Sequence, residues 1–278
     1  MNFEHLEIIY NGEVYNFREI RSELQKLDYS FKSNSDTEVI LKAYHEWGIK
    51  AVDKFIGMFA IGIYDKKKQK IILIRDRVGI KPCYYYKAEK LFMFASELKS
   101  FHQNLRFKRS INKNALGLFM KHGYIPEPYS IFENTHKLRA GHYLEFDLKT
   151  QKIDEIKYWD IVDFYNKPKI NFNEFESINE LENLFRSAFE YRMISDVPVG
   201  IFLSGGYDSA IVTAILQSNR SEKLNTFTIG FKEEKYDEIA NARETASYLG
   251  TNHTEYYCTQ QDAIDIIQKL PEIYDEPI

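Results

Sequence analysis

The residues best suited to chemistry lie at 199–209, Val-Gly-Ile-Phe-Leu-Ser-Gly-Gly-Tyr-Asp-Ser. An apolar run closes on Ser204-Gly205-Gly206, and Asp208-Ser209 open a helical pattern. Bare backbone N–H groups, a hydroxyl and a helix N-terminus around one small concavity suit an anion, above all a phosphate. Adjacent glycines allow positive φ and carry no Cβ to hold a phosphate away, while Asp208 can hold the Mg2+ that travels with a nucleotide. The competing reading is an ordinary strand–turn–helix connection.

Other positions are open to more than one reading. Asn11-Gly12 separates two short strand patterns, 6–10 and 13–15, and on local grounds is a hairpin signal with a type I′ turn. Asp36 stands at a helix start, where a plain N-cap competes with a ligand-binding carboxylate. Asp237, on a loop after a strand, either caps the next helix or adds a second carboxylate beside a metal. Arg75-Asp76-Arg77 before Gly79-Ile80-Lys81-Pro82 reads as an ion-pair network that fixes a turn rather than as a catalytic group. Lys66-Lys67-Lys68 reads as a solvated hairpin tip.

The elements that must position these residues change character along the chain. Early on, Asn16 and Glu19 form a capping box before an apolar face of Phe17, Ile20, Leu24 and Leu27. A second helix carries Val39, Ile40, Ala43 and Trp47 inward and stops at Gly48. Strand patterns at 58–64, 71–75, 83–86 and 91–96 predict a mostly antiparallel sheet, followed by a short helix near 113–122 and a hairpin over 142–158. The domain boundary falls within 124–175. Beyond it, Ser177 and Glu180 form a capping box for a helix whose Ile178, Leu181, Leu184, Phe185 and Ala188 pack on the coming sheet. Helix 208–217, strand 224–231, helix 238–249, strand 254–258 and a helix from about 260 complete a β-α-β-α-β pattern, hence a parallel sheet with right-handed crossovers. Ligands of such sheets sit beyond the carboxyl ends of the strands, where both 204–209 and 229–231 fall.

Composition sets outer bounds. At 278 residues the chain has room for two domains. Its formal net charge of −4 gives no reason to expect nucleic acid or an anionic membrane as partner. The two cysteines, Cys83 and Cys258, lie far apart without metal-ligand spacing, which fits a reducing cytoplasm. No apolar run approaches the ~20 residues that span a bilayer, and the first residues lack a signal-peptide layout.

Several strings in order carry a resemblance: Tyr10-Asn11-Gly12-Glu13-Val14-Tyr15-Asn16, Ser35-Asp36-Thr37-Glu38, residues 75–82, Phe94-Ala95-Ser96-Glu97, Gly141-His142-Tyr143, and Ser195-Asp196-Val197-Pro198-Val199-Gly200 before 204–209. Together they resemble glutamine-hydrolysing asparagine synthetase across nearly the whole chain. The resemblance implies a class II glutamine amidotransferase domain over 1–150, a partial N-terminal-nucleophile α/β/β/α sandwich. It also implies part of an adenine nucleotide α-hydrolase-like ATP-pyrophosphatase domain over 175–278, built on a parallel sheet. By position, Asn11 and Gly12 match the oxyanion hole for the glutamine amide, and Glu13 and Asp36 match residues that hold its α-amino end. Ser204, Gly205, Gly206, Asp208 and Ser209 match the pyrophosphate loop, and Leu203 and Ile229 match positions flanking the adenosine; Asp208, with Asp237 as the candidate second carboxylate, is the expected metal site. The implied chemistry takes glutamine, aspartate and ATP with Mg2+: the aspartate side chain attacks the α-phosphorus, and ammonia converts β-aspartyl-AMP to asparagine and AMP.

The departures generate expectations too. The family's nucleophile is an N-terminal cysteine with its own α-amino group as base, upstream of the Tyr-Asn-Gly-Glu string; Cys83 and Cys258 lie deep in the chain and cannot substitute. The family's later Gly-Glu-Gly-type loop has no match, and Tyr207 replaces the commoner leucine. The chain is therefore expected to be a piece truncated at both ends and without glutaminase activity. The alternative is an ATP-binding module or a non-catalytic remnant of the family. Either would act with a polypeptide that supplies the missing parts, or as a homo-oligomer.

Overall fold

A computed structural model describes residues 1–169, 173–231 and 239–277. The chain divides into two compact units, Met1–Pro168 with Pro271–Ile278, and Lys169–Leu270.

Unit 1 contains β1 (Asn2–Phe3), β2 (Leu6–Val14), α1 (Phe17–Gln25), α2 (Asp36–Trp47), α3 (Ala51–Lys54), β3 (Gly57–Asp65), β4 (Lys70–Arg75), β5 (Tyr84–Ala88), β6 (Leu91–Ala95), α4 (Lys113–His122), β7 (Thr135–Lys137), β8 (His142–Asp147), β9 (Ile153–Lys157) and α5 (Ile161–Tyr165). The strands form two sheets, one ordered β1-β2-β3-β4-β8-β9 and one ordered β6-β5-β7, as the α/β/β/α resemblance implies, where strand patterning alone predicts one. Alternation along the central strands explains the layering. Phe59, Ile61 and Ile63 of β3, with Ile72 and Ile74 of β4, join Ile20, Leu24, Val39, Ile40 and Ala43 of the helices. Their neighbours Ala60 and Leu73 face the other way and meet Tyr85, Leu144 and Phe146 between the sheets. Tyr86 then turns outward from the second sheet onto Leu98, Phe101 and Ala115. The result is an α/β/β/α sandwich in which β3 and β4 are buried on both faces.

Local signals in this half were partly overridden. Asn11-Gly12 is not a turn: it lies inside the continuous strand β2, with Asn11 opposite Ala60 and Gly12 opposite Phe59. Gly12 has φ +147°, and a Cβ there would collide with the Met58 carbonyl oxygen. Glycine is needed here for the close approach of two backbones. Asn16 makes no side-chain cap. Its amide instead donates to the Lys54 carbonyl at 2.9 Å and accepts from the Ile56 N–H at 2.9 Å, tying α3 to the start of α1. Leu27 is exposed, beyond the end of α1.

Residues 271–277 also pack on unit 1. Asp275 accepts from the Leu98 and Lys99 amides at 2.7 and 3.2 Å, and Glu276 accepts from the Ile131 amide at 3.0 Å and pairs with Lys137 at 2.6 Å.

Unit 2 contains α6 (Glu174–Arg192), β10 (Gly200–Phe202), α7 (Tyr207–Ser218), β11 (Asn225–Phe231), α8 (Ile239–Leu249), β12 (Asn252–Cys258) and α9 (Gln260–Ile267). Its three strands are parallel in the order β10-β11-β12, as the alternating pattern predicts. Two features differ from expectation. Helix α6 starts before Ser177, because the Asn173 side chain caps it by accepting from the Glu176 N–H at 3.4 Å. Ile178, Leu181 and Leu184 are exposed rather than packed on the sheet, and α6 reaches α7 through Arg186, which donates to the Ile215 carbonyl at 3.1 Å. Helix α9 opens with a Thr259–Asp262 capping box that was not foreseen.

Candidate functional site

In unit 1 the sandwich brings Asn11, Gly12 and Asp36 to the same region of β2. Ser35, not Asp36, caps α2, its hydroxyl accepting from the Thr37 N–H at 3.1 Å. Asp36 is thereby released to reach β2. Its Oδ2 accepts from the Tyr10 hydroxyl at 2.8 Å and from the Val14 N–H at 3.1 Å. Burial, reinforced by the adjoining Asp36 carboxylate, pushes the Tyr10 phenol far above its ordinary value, so it stays a donor. The Asn11 amide donates to the Ser96 hydroxyl at 3.0 Å, which links β2 to the end of β6. Between them lies a cleft of ≈230 Å³ lined by Tyr10, Asn11, Gly62, Cys83, Phe94 and Ser96. Burial pushes the Cys83 thiol up to about 12, so the sulfur in this cleft is a protonated core atom and no nucleophile. Glu13 follows on β2 at the position opposite Met58.

Sequence reasoning placed Asp76 in a turn-fixing corner but gave it the wrong partners. Asp76 is fully buried and takes four backbone N–H donors. Oδ1 accepts from Val78 and Ile80 at 3.3 and 2.9 Å, and Oδ2 from Phe59 and Lys81 at 3.2 and 2.9 Å. The arginines do not pair with it. Arg75 donates to the carbonyls of Lys81, Gly79 and Leu138 and pairs with Glu127 at 2.6 Å, while Arg77 donates to the carbonyls of Phe55 and Asp53. The corner 75–82 is therefore a backbone-binding hub rather than an ion-pair network. It fixes Phe59, the residue opposite Gly12.

In unit 2 the loop 204–209 leaves the carboxyl end of β10 and enters α7 with Gly206 as N-cap. The two serine hydroxyls lie 3.0 Å apart. Ser209 Oγ accepts from the Ser204 N–H at 3.0 Å and Ser204 Oγ from the Gly206 N–H at 3.2 Å, which curls the backbone around one point. Gly205, Gly206 and Asp208 are exposed, and a Cβ at Gly206 would meet only Ser204 Oγ. The loop thus pairs an open glycine surface with an exposed carboxylate, Asp208, in the first turn of a 12-residue helix. These residues fit a phosphate chain with its divalent ion: a helix N-terminus and hydroxyls for the anion, a hard oxygen for the cation.

The flanking positions differ in kind. Leu203 is 1% exposed and packs on Ala242 and Ala246; its N–H donates to Phe227 and its carbonyl accepts from Thr228 Oγ1. Ile229, by contrast, is exposed near the carboxyl end of β11. Asp237 lies outside the described residues.

Comparison with known proteins divides the chain in a similar place. The family described as a glutamine amidotransferase domain matches residues 1–159, and the family described as asparagine synthase matches 180–278. A putative glutamine-hydrolysing asparagine synthetase 2 of Methanocaldococcus jannaschii is 43% identical over 276 residues, covering 97% of this chain and 52% of that protein. The glutamine-hydrolysing asparagine synthetase 1 of Bacillus subtilis is 33% identical, covering 98% of this chain and 42% of that one. The chain spans about half the length of these relatives. A B. subtilis glutamine phosphoribosylpyrophosphate amidotransferase structure overlaps 90% of this chain and 45% of its own, with TM-score 0.40 and 14% identity. No described helix is long and apolar enough to cross a membrane. With both halves matched in order, the chain belongs to the glutamine-hydrolysing asparagine synthetase family.

Proposed function

We propose that this chain contributes the nucleotide-activating half-site and the glutamine-side framework of an asparagine-forming ligase. The overall reaction joins ATP, aspartate and ammonia drawn from glutamine, and yields asparagine, AMP and pyrophosphate. The domains divide as 1–150 and 175–278, and the setting is the cytoplasm, consistent with two free cysteines. The observation that carries the reading is the curled loop 204–209 at the carboxyl end of a parallel strand.

In this reading the Gly205-Gly206 turn and the hydroxyls of Ser204 and Ser209 bind the pyrophosphate portion of ATP, the Gly206 N–H exchanging Ser204 Oγ for a phosphate oxygen. Asp208, with Asp237, holds Mg2+, whose charge offsets that of the departing pyrophosphate. No protein nucleophile is required on this side, because positioning and charge neutralisation do the work. Leu203 shapes the adenosine side from beneath, through the backbone it fixes, and Ile229 borders it directly. On the glutamine side, Asn11 and Gly12 face the amide oxygen, while Glu13 and Asp36 hold the α-amino end. Asp36 is already set by Tyr10 and Val14, so its position precedes the ligand. Cys83 does not serve as a nucleophile on this side, since burial keeps its thiol protonated at neutral pH.

The test is pyrophosphate release from ATP by the purified chain, with and without aspartate and ammonia, beside Mg2+-dependent ATP binding by calorimetry. Binding that weakens at least tenfold in Asp208→Ala supports the assignment. Equal affinity in both proteins, or none in either, refutes it.

A further inference from the structure

A second group of chemically able side chains lies at the far end of β2. The turn between β1 and β2 presents Glu4 and His5, and the last turn of α2 presents His45. His45 Nε2 is 2.9 Å from Glu4 Oε2, and His5 Nδ1 is 4.0 Å from the same oxygen. All three donor atoms fall within 4.8 Å of one another, the one such group among the described residues.

The hydrogen bonds around His45 leave a deficit of positive charge. The Tyr29 hydroxyl sits 2.6 Å from His45 Nδ1 and donates its proton to Glu46 Oε2 at 2.9 Å. With that proton on Glu46, the hydroxyl accepts from His45, an assignment that puts the imidazole proton on Nδ1. The lone pair on Nε2 then points at the Glu4 carboxylate, acceptor against acceptor, unless a cation joins them. A second proton would join two groups. A metal ion would join three, and His5 is turned the same way.

His5 is set up alike. Its Nε2, the nitrogen away from Glu4, lies 3.8 Å from Asp65 Oδ1. Asp65 is 1% exposed and its Oδ2 has no hydrogen-bond partner, the exposed Lys68 ammonium standing 3.5 Å off. Each imidazole therefore has one nitrogen toward the common point and the other toward an oxygen. At His45 this is the hydrogen-bonded outer arrangement that orients histidine ligands on metals, while His5 faces Asp65 at ion-pair distance. Ligand bonds of ~2.0–2.2 Å in a tetrahedral site separate neighbouring donors by roughly 3.3–3.6 Å. The 2.9 and 4.0 Å separations bracket that spacing. Phe3 packs against His45 at a steep angle with ring centroids 5.1 Å apart, and the Lys42 ammonium lies over the Phe3 ring, 5.0 Å from its centroid.

We propose that Glu4 Oε2, His5 Nδ1 and His45 Nε2 bind one divalent transition-metal ion of the zinc class, with water completing the shell. Two imidazoles and one carboxylate select Zn2+, Co2+ or Ni2+ over Mg2+ or Ca2+, which prefer all-oxygen sites. The ion fastens the β1–β2 turn to α2, 40 residues away in sequence, and is separate from the nucleotide loop.

The experiment titrates Co2+ into the tag-free full chain, follows visible d–d absorption, then displaces it with Zn2+ and counts metal by elemental analysis. One ion per chain is expected, unaffected by millimolar Mg2+ and retained in Cys258→Ser. The double variant His5→Asn/His45→Asn should bind at least 100-fold more weakly, and Tyr29→Phe about tenfold more weakly. Glu4→Gln, on an exposed turn, should weaken binding with an unchanged far-UV spectrum and so separates ligand loss from misfolding. No binding by the wild-type chain, binding indifferent to the two histidines, or binding abolished by Cys258→Ser would each overturn the site.

Discussion

Asp76→Asn replaces one of two carboxylate oxygens by an NH2 group and changes little else in size. In the structure each oxygen serves two backbone N–H donors, Val78 and Ile80 on one and Phe59 and Lys81 on the other. Whichever way the amide turns, two of the four donors then face another donor. Hydrogen bonds to a charged acceptor contribute ~1.5–3 kcal/mol each, and a buried unsatisfied N–H costs a further ~1–3 kcal/mol. Because the four share one group, the losses do not add fully, and ~3–5 kcal/mol is expected. Against a usual total of ~5–15 kcal/mol this is a large fraction. Both tryptophans, Trp47 and Trp159, belong to unit 1, so urea unfolding followed by their fluorescence reports this unit directly. The expected result is a lower midpoint at similar slope, with unit 1 still folded in water. A change below about 1 kcal/mol would refute the hub, since a surface-like substitution costs no more than that.

Two further outcomes follow from unit 1. Gly12→Ala puts a Cβ against the Met58 carbonyl at φ +147°, and should cost ~1–3 kcal/mol or displace β2, read by the same fluorescence assay; an unchanged midpoint would contradict the close approach. Glu38 is buried; although burial raises its pKa, hydrogen bonds from Lys42, Lys32 and Ser33 outweigh it and bring it down to about 2. A depressed carboxylate stabilises the fold above its unfolded value near ~4.3 and loses that contribution as pH falls toward the folded value, at ~1.4 kcal/mol per pH unit. Stability should therefore decline between about pH 4.5 and 2, and Glu38→Gln should flatten that decline. An identical slope in the variant would sink the assignment.

What the sequence disclosed depended on the range of the interaction. The β-α-β-α-β pattern of unit 2 rests on local periods and turns, and its elements appear within a few residues of the predicted ones. The loop 204–209 was legible because glycines, hydroxyls and a helix start are contiguous. Asn11-Gly12 misled because the pair looks like a turn locally, whereas its glycine answers Phe59 on a neighbouring strand. Asp36 and Asn16 both sit where caps belong, yet their side chains serve β2 and α3. Such roles exist only once the sheet and helices have met. Asp76 takes its partners from β3 and the following turn, and Glu4, His5 and His45 converge with no spacing signature at all.

The pairing of Gly12 with Phe59 and the grip of Asp36 on Tyr10 and Val14 together act as two stops on one ruler. Side chains alternate along a strand, so a shift by one position would send every one of them to the opposite face. Length changes are thus confined to particular places. The tip 66–69, beyond the last β2–β3 pair at Leu6 and Asp65, lies outside both stops and can gain or lose residues. Between Tyr10 and Val14 a single insertion or deletion would break one stop or the other. Related sequences that differ in length should therefore place their gaps at the tip and keep the five positions from Tyr10 to Val14 uninterrupted.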